Sequence, residues 1–506
     1  MVEPLVSQTN GYLILASFGL FMILITYFFA RWRKWNTKEG FLVAERNVHW
    51  LIGGPSIAAS WIWAGALFVS IQLAYQKGLA GIFWFTFPNI IALGIFVFLG
   101  PKIREKFQKG FTLPQYIHHK LGSDKLHKLY LVPFFAGQII AVTFNIFAGG
   151  AVVSLLTGIP LTIVMPIIAL IALTYTLVSG LEASIVTDMV QIILIIVGIV
   201  LVVPRAIMAA GGFNAINGGL GGLEGLSLFD PAVAFSLGLV TSIGLISQTI
   251  TDQQYWQRTF VMKKNHIAKA FIFGAIIFAI VPISLSMLGF LGANPSLGIN
   301  LPENVDPSLI GVLTVTSLLP SSIAILFVII LLGGLSSTID SGISATSSLW
   351  ATDVAKYTKR EEKIINKQSV NEKLTEDERK GIHDLDMRVI KQSRWAMVGV
   401  TLLGIIIAYA AHFIAGFGVS QLFMLSISIA ASASIPTVLS LYWERLSAKG
   451  AFIGILSAII IGMPLFIYAN VVGNEILIAV ASVLMIVIST FFCLIFPNKK
   501  KEKSSL

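Results

Sequence analysis

A chain of 506 residues that is 56% hydrophobic and only 12% charged differs from ordinary water-soluble proteins, in which charged residues make up about 25%. The formal net charge of +10 does not indicate a nucleic-acid partner, because the basic residues are spread over connections between apolar runs rather than gathered in one binding motif. The single cysteine, Cys493, excludes disulfide bonds, thiolate zinc sites and iron–sulfur clusters within one chain.

Thirteen apolar runs are long enough to span a bilayer, for which about 20 residues suffice. They lie at 11–31, 50–74, 80–101, 127–156, 160–179, 182–205, 232–250, 266–292, 312–352, 390–412, 416–443, 448–469 and 474–496. Only helices and closed barrels satisfy the backbone in lipid, and these runs are too long for barrel strands. The sequence therefore predicts an all-α integral membrane protein with 13 transmembrane helices.

The connections between these runs predict the orientation of the chain in the membrane. Of the 35 Lys and Arg residues, 33 lie in alternate connections, and only Lys77 and Arg205 fall elsewhere. The basic connections are 31–49, 101–128, 251–269, 353–394, 443–449 and 497–506. Because basic residues mark the cytoplasmic side, we expect the N-terminus outside and the C-terminus inside. The short loops favour the plasma membrane.

An odd number of helices suits a ten-helix core of two inverted five-helix halves, with one helix before the core and two after it. In such cores the first helix of each half is broken. Run 50–74 has small residues in its middle, and run 232–250 contains glycine and hydroxyl residues. The predicted parts are 1–49 (first helix and basic loop), 50–443 (transport core) and 444–506 (two helices and basic tail).

Two basic connections are long enough to hold structure of their own. Residues 101–128 mix charges with apolar residues, which predicts a helix at the membrane face followed by a turn at Gly122-Ser123. Residues 353–394 alternate acids and bases, which indicates a solvated, partly helical loop. Neither segment contains a motif for a protein partner.

Ionisable residues are costly inside a membrane and mark functional sites. Asp340 lies among Ser336, Ser337, Thr338 and Ser341, and hydroxyl and carboxylate oxygens at this spacing share one helical face. Such a face suits a small hard cation. Glu182 and Asp252 lie near the ends of runs, where we expect solvated acids. The chain contains no catalytic motif, which argues against an enzyme.

Four stretches resemble the signatures of the sodium/solute symporter family. They are LPQYI (113–117), SGLEASIVTDMVQ (179–191), TDQQYWQR (251–258) and SSTIDSGISATSSLWATDVAKY (336–357). Two further stretches, ASWIWAGAL (59–67) and YQKGLAGIFWF (75–85), are similar to the urea-transporting branch of that family. The resemblance extends over nearly the whole chain.

The resemblance implies a LeuT-type inverted-repeat core (5+5) and transport driven by sodium, the co-transported ion. It implies a central sodium site whose ligands come from the broken first core helix and from the eighth: Ala59, Ile62, Gly334, Ser337 and Thr338. Some family members have a second ion site, whose positions here are Asp188, Asp340 and Ser341, together with Ser337. The carboxylate of Asp340 departs from the family pattern, and it would either strengthen that ion site or carry a proton.

The positions that bind sugar in the sugar carriers do not match here, which argues against sugar transport. A small neutral polar solute in an aromatic-walled pocket would suit six residues of this chain: Trp61, Trp63, Phe85, Gln248, Thr249 and Gln421. The interpretation is therefore a sodium-coupled symporter that imports a small polar solute (urea-like, an amino acid or a monocarboxylate) by alternating access.

Three alternatives stay open at this point. One is a proton-coupled symporter of the same fold that uses Asp340, and another is a transporter-like membrane sensor that signals through 353–394. The third is a passive channel. The intact pair Ser337 and Thr338 argues against a sensor, because a sensor could lose its ion site. A binding site at a broken helix argues against a channel.

Overall fold

The computed structural model describes residues 4, 6–33, 37–302, 305–355, 361, 367, 375–414 and 419–498. Over these residues the secondary structure is helical, and the only β-type pairing is an isolated parallel bridge between Val48 and Met262. Ten of the described helices are long and apolar enough to cross a membrane. The all-α fold is thus confirmed. The count of 13 spans stays a prediction, because several predicted runs are interrupted and their pieces are short.

The helices follow one another closely along the chain. The first ten are α1 (Gln8–Arg33), α2 (Lys38–Val43), α3 (Trp50–Trp61), α4 (Ser70–Gly94), α5 (Phe96–Lys106), α6 (Leu113–Leu121), α7 (Asp124–Thr157), α8 (Leu161–Ser179), α9 (Leu181–Ala209) and α10 (Phe213–Asn217). The others are α11 (Pro231–Val233), α12 (Thr241–Thr251), α13 (Gln253–Val261), α14 (Lys264–Ala293), α15 (Ile310–Leu318), α16 (Ser321–Leu349), α17 (Glu376–Phe413), α18 (Val419–Tyr442), α19 (Ala448–Ser457), α20 (Met463–Val472) and α21 (Glu475–Ile495). Turns of π-helix lie at Gly65–Val69, Ala234–Val240, Trp350–Val354 and Ala458–Gly462.

Two helices are interrupted, one inside a predicted span and one next to a predicted span. Helix α3 ends at Trp61, because Ile62 leaves the helical region with φ −85° and ψ 68°. Helices α12 and α13 are separated by Asp252, which is extended at φ −94° and ψ 117° and whose carboxylate caps α13. The predicted interruption of run 50–74 is therefore confirmed. The second break lies just beyond the predicted run 232–250.

Helix α16 lies at the centre of the bundle, packed against α3, α7, α8, α9 and α17. Every residue of α16 from Ile330 to Leu349 is buried. The prediction of one continuous helix over 312–352 is wrong, because α15 ends at Leu318 and α16 begins after Pro320, which cannot donate a backbone hydrogen bond. The hydroxyl-rich face of α16 is therefore surrounded by protein rather than by lipid.

The long basic connections are partly helical, as predicted. Helix α6 ends at Gly122, which has a positive φ of 61°, and the hydroxyl of Ser123 then caps α7. Helix α17 begins with a capping box in which Thr375 and Glu378 hydrogen bond reciprocally. The second half of the predicted loop 353–394 therefore belongs to the long helix α17, whereas most of 356–374 lies outside the described residues.

Candidate functional site

The break after α3 faces the hydroxyl-rich part of α16. The hydroxyl of Thr338 lies 3.3 Å from the carbonyl oxygen of Ile62 and 3.3 Å from that of Gly334. A Cβ atom at Gly334 would lie 3.2 Å from the carbonyl oxygen of Ile62 and 2.7 Å from the side chain of Leu67, so glycine permits this close approach. Carbonyl and hydroxyl oxygens gathered in this way are ligands that small hard cations prefer.

The other two predicted sodium ligands flank this group. Ala59 lies in the last turn of α3, and its carbonyl oxygen accepts the N–H of Ile62 at 3.2 Å. The hydroxyl of Ser337 donates to Asp188 Oδ1 at 2.8 Å, and both side chains are fully buried. The structure thus brings Ile62, Gly334 and Thr338 within hydrogen-bonding distance, while Ser337 connects the group to a carboxylate on α9. The assignment of these atoms as sodium ligands stays a prediction.

A buried ion pair lies beside this group. Arg258 on α13 has no exposed surface, and its Nη2 lies 3.0 Å from Asp188 Oδ2. The same guanidinium donates to the hydroxyls of Ser56 (Nε, 3.1 Å) and Ser341 (Nη2, 2.6 Å). Arg258, which the sequence counts among the basic residues of the connection 251–269, is therefore buried inside the bundle. Its place at the end of the TDQQYWQR stretch is the sequence feature that could have identified Arg258 as a functional residue.

Asp340 lies on another side of α16, against α8 and α9. It accepts hydrogen bonds from the hydroxyls of Tyr175 and Ser184, each at 2.7 Å. The hydroxyl of Thr187 lies 3.4 Å from the same carboxylate, and that of Ser341 also lies 3.4 Å from it. Because Ser341 contacts both Arg258 and Asp340, the residues predicted for a second ion site form one hydrogen-bonded cluster.

A cavity of about 30 Å³ lies next to the helix break. It is lined by Ser60, Trp61, Trp63, Ile140, Ala141, Phe144, Asn145, Gln248, Asp252, Gln254 and Thr338. Three predicted solute residues, Trp61, Trp63 and Gln248, are among them. Because Thr338 also contacts the oxygens of the break, the cavity and the candidate ion site share a residue.

The other predicted solute residues do not line this cavity. Phe85 lies buried on α4, away from the lining. The hydroxyl of Thr249 donates to the carbonyl oxygen of Ala92 at 3.1 Å, so it joins α12 to α4 instead. The side chain of Gln421 lies outside the described residues. The structure therefore does not place Phe85 or Thr249 against this cavity.

The cavity combines aromatic walls with polar groups, and one of these, the side chain of Gln254, was not predicted from the sequence. The ring of Trp63 lies 5.2 Å from that of Phe144, and the ring of Trp61 lies 5.4 Å from that of Tyr255. The buried indole N–H of Trp61 and the buried amide oxygen Oε1 of Gln254 have no hydrogen-bond partner. A donor and an acceptor of this kind are expected where a polar solute completes the hydrogen bonds.

Asp252 supplies a carboxylate to this cavity. It is only 9% exposed, and its Oδ1 accepts hydrogen bonds from the side chain of Gln138 at 2.9 Å and from the N–H of Gln254 at 2.8 Å. Glu182 is likewise only 8% exposed. The expectation that Asp252 and Glu182 are solvated acids was therefore wrong, because packing of helices distant in sequence covers both of them.

Comparison with known proteins agrees with this architecture. The model of the Sodium:solute symporter family matches residues 41–462. The chain is 23% identical to the urea-proton symporter DUR3 of Oryza sativa subsp. japonica over 92% of its own length and 66% of that protein. It is 25% identical to the human high affinity choline transporter 1 over 66% of its own length and 62% of that protein. The chain therefore spans just under two thirds of each of these relatives.

Solved structures show the same fold. A Na+-coupled sialic acid symporter in a substrate-bound outward-open state superimposes with a TM-score of 0.74 at 18% identity, over 97% of this chain and 99% of that chain. MhsT in complex with L-phenylalanine gives a TM-score of 0.51 at 13% identity, over 88% of this chain and 98% of that chain.

The inverted-repeat transporter fold expected from the sequence is thus confirmed, together with the resemblance to urea transporters. The two broken helices, the membrane-spanning helices and the match over residues 41–462 lead to one conclusion. The chain belongs to the sodium:solute symporter family and is a multi-pass membrane transporter, not an enzyme.

Proposed function

We propose that this transporter imports a small uncharged solute of the urea class together with sodium, by alternating access. The observation that carries the proposal is the double position of Thr338, which lines the solute cavity and contacts the carbonyl oxygens of Ile62 and Gly334. An ion bound at these oxygens would fix the α3 break against α16, and the break carries Trp61 and Trp63 into the cavity. Sodium binding would therefore favour the conformation that binds the solute.

The polar groups of the cavity favour urea over the other solutes that the sequence left open. Urea has a carbonyl oxygen that can accept from the indole N–H of Trp61 and amide N–H groups that can donate to Asp252 or Gln254. The carboxylate of Asp252 would repel the carboxylate of an amino acid or a monocarboxylate. Choline is larger and has no N–H donor.

Proton coupling is a second candidate for the same site. The rice relative is named a urea-proton symporter, and Asp340 is a buried carboxylate on the helix that carries Thr338. A proton on Asp340 would be shared with the hydroxyls of Tyr175 and Ser184. We rank sodium first because the oxygen group around Thr338 contains no titratable residue and suits a metal cation.

The organisation of the chain in the membrane follows from the same proposal. Residues 50–443 would form the transport core, with 1–49 before it and 444–506 after it as additional helices. We place the protein in the plasma membrane with the N-terminus outside and the C-terminus in the cytoplasm, as the distribution of basic residues predicts.

The proposal is tested by uptake of labelled urea into proteoliposomes under an inward sodium gradient, with potassium as the control. Thr338→Ala removes the hydroxyl that faces the break, and we expect sodium-dependent uptake to fall to background. Thr346→Ala is the matched control, because Thr346 is a buried residue of the same helix whose hydroxyl bonds to the carbonyl oxygen of Gly342. Uptake that is equal in sodium and potassium, or wild-type kinetics in Thr338→Ala, would contradict sodium coupling at this site.

A further inference from the structure

Two apolar grooves lie on the surface of α17, one on each side of Trp395. The larger groove, of about 610 Å³, lies between α17, α7 and the end of α16, and Phe135 and Leu403 are among its lining residues. The smaller groove, of about 380 Å³, lies between α17 and the end of α8, where Leu177 and Val398 line it. The side chain of Trp395 borders both grooves and is 67% exposed. The two grooves are therefore neighbours that share one aromatic wall.

Positive charge lies at one end of this pair of grooves. Of the described residues that line them, only Lys391 and Arg394 are charged. Arg394 donates from Nε to the carbonyl oxygen of Leu177 at 3.0 Å and from Nη2 to that of Val178 at 3.3 Å, which holds its side chain at the end of α8. Neither Lys391 nor Arg394 forms an ion pair with another described residue. An anion bound here would meet two cations that no acid neutralises.

The basic end of the grooves lies where α17 enters the membrane. Lys391 and Arg394 are at the start of the predicted run 390–412, on the side that we expect to be cytoplasmic. The spacing of Lys391, Arg394, Trp395 and Val398 places them on one face of the helix. Tryptophan prefers the level of the lipid head groups, and basic pockets between transmembrane helices on the cytoplasmic side suit anionic head groups. The site is thus basic at the interface and apolar within the membrane.

We propose that the two grooves bind one anionic phospholipid of the cytoplasmic leaflet. Its phosphate contacts Lys391 and the guanidinium of Arg394, and its two acyl chains lie on opposite sides of Trp395. A phospholipid matches the site because its charge is confined to one end and its two chains are apolar. A soluble anion would use only the basic end. A second copy of the chain would have to bring an acidic side chain to the same point.

One residue of the larger groove allows the chain-binding space to be filled. Gly399 lines this groove and is exposed. A Cβ atom at Gly399 would have no neighbouring atom within 4 Å, so a larger side chain can enter the groove without displacing the protein. Leucine is also a better helix former than glycine. Gly399→Leu should therefore occupy the place of an acyl chain and leave α17 intact.

The test is native mass spectrometry of the purified protein, titrated with dioleoylphosphatidylglycerol. Dioleoylphosphatidylcholine, which has the same acyl chains and no net charge, is the control lipid. We expect one tightly bound phosphatidylglycerol per chain, and a Tm that rises with this lipid but not with phosphatidylcholine. Equal binding of the two lipids would overturn the inference. A rise in Tm that inorganic phosphate reproduces would also overturn it, because an anion site without acyl chains would then explain the effect.

Removal of the two charges tests the proposed contacts with the phosphate. We expect Lys391→Gln to weaken the binding of phosphatidylglycerol about fivefold, and the double variant with Arg394→Gln to weaken it about thirtyfold, with no change for phosphatidylcholine. Lys380→Gln is the matched control, because Lys380 is exposed on the same helix outside both grooves. Lys391→Gln leaves the bonds of Arg394 to α8 in place, so it decides the question if the double variant does not fold. Wild-type binding of phosphatidylglycerol by Lys391→Gln would overturn the inference.

Filling the larger groove tests the proposed place of the acyl chain. We expect Gly399→Leu to fold and to lose the bound phosphatidylglycerol. Gly94→Leu is its control, because a Cβ atom at Gly94 also has no neighbour within 4 Å and this residue lies on α4, outside both grooves. Phosphatidylglycerol that stays bound to Gly399→Leu would contradict the inference. Dimers that Gly399→Leu abolishes, in a protein that binds no phosphatidylglycerol, would assign the grooves to a second copy of the chain and overturn it.

Discussion

At the scale of single residues, the two buried carboxylates of this transporter have different partners. Asp188 is paired with Arg258, whereas the close partners of Asp340 are the hydroxyls of Tyr175 and Ser184. Neutral hydroxyls solvate a carboxylate without cancelling its charge. Asp340 would therefore contribute a net negative potential to α16, the helix that carries the proposed sodium ligands.

Asp340→Asn tests this contribution. The substitution keeps the shape of the side chain and removes its charge, so we expect half-maximal uptake to need about ten times more sodium. The estimate follows from roughly 1–2 kcal/mol between unit charges several ångströms apart at an intermediate dielectric constant. The measurement is urea uptake against sodium concentration at several pH values. We expect the pH profile of the variant to match that of the wild type, and a flattened profile would assign the coupling to a proton on Asp340.

At the scale of helices, the break after α3 depends on a contact with α7. The N–H of Ala64, which lies just after the break, donates to Asn145 Oδ1 at 3.0 Å, and Asn145 Nδ2 donates to the carbonyl oxygen of Ala141 at 2.8 Å. A backbone group freed from a helix within the membrane needs such a partner. Asn145 also lines the solute cavity, so one side chain holds the break and faces the solute.

Asn145→Ala is therefore expected to weaken both sodium activation and solute binding. Loss of the acceptor leaves the N–H of Ala64 buried without a partner, at a cost of about 1–3 kcal/mol. Thr143→Ala is the control, because Thr143 is buried on the same helix and its hydroxyl bonds to the carbonyl oxygen of Ile139. Uptake measured against sodium and against urea gives the two constants for each variant. If Asn145→Ala behaved like Thr143→Ala, the break would not depend on this contact.

The two broken helices also show which parts of the candidate site could be predicted from the sequence alone. Small residues in run 50–74 and the hydroxyl pair Ser337 and Thr338 are local patterns, and the structure brings the break to within hydrogen-bonding distance of Thr338. Arg258 could not be assigned in this way, because its partner Asp188 lies 70 residues earlier and the count of basic residues places Arg258 in a connection between apolar runs. Asn145 was likewise not predicted, because it is an isolated polar residue in an apolar run.

At the scale of the whole molecule, one exception to the charge pattern has a structural explanation. Lys77, one of the two basic residues outside the alternating connections, pairs with Glu224 at 2.8 Å. Glu224 belongs to the glycine-rich connection before α11, which docks on α4 where Gly78 has a positive φ of 59°. A Cβ at Gly78 would lie 2.2 Å from the carbonyl oxygen of Leu220, so only glycine permits this contact. Because Lys77 is paired with an acid, it does not contradict an outside location for this connection.

The orientation of the whole chain is tested by labelling single cysteines in intact cells. The native Cys493 is fully buried, so it gives a low background with a membrane-impermeant maleimide. Phe229 is 82% exposed in the glycine-rich connection, and Lys380 is exposed on α17. We expect Phe229→Cys to be labelled from outside, and Lys380→Cys to be labelled only after the membrane is permeabilised, because basic connections stay in the cytoplasm. The reverse pattern would invert the membrane orientation. Labelling of both variants in intact cells would mean that these two connections lie on the same side of the membrane.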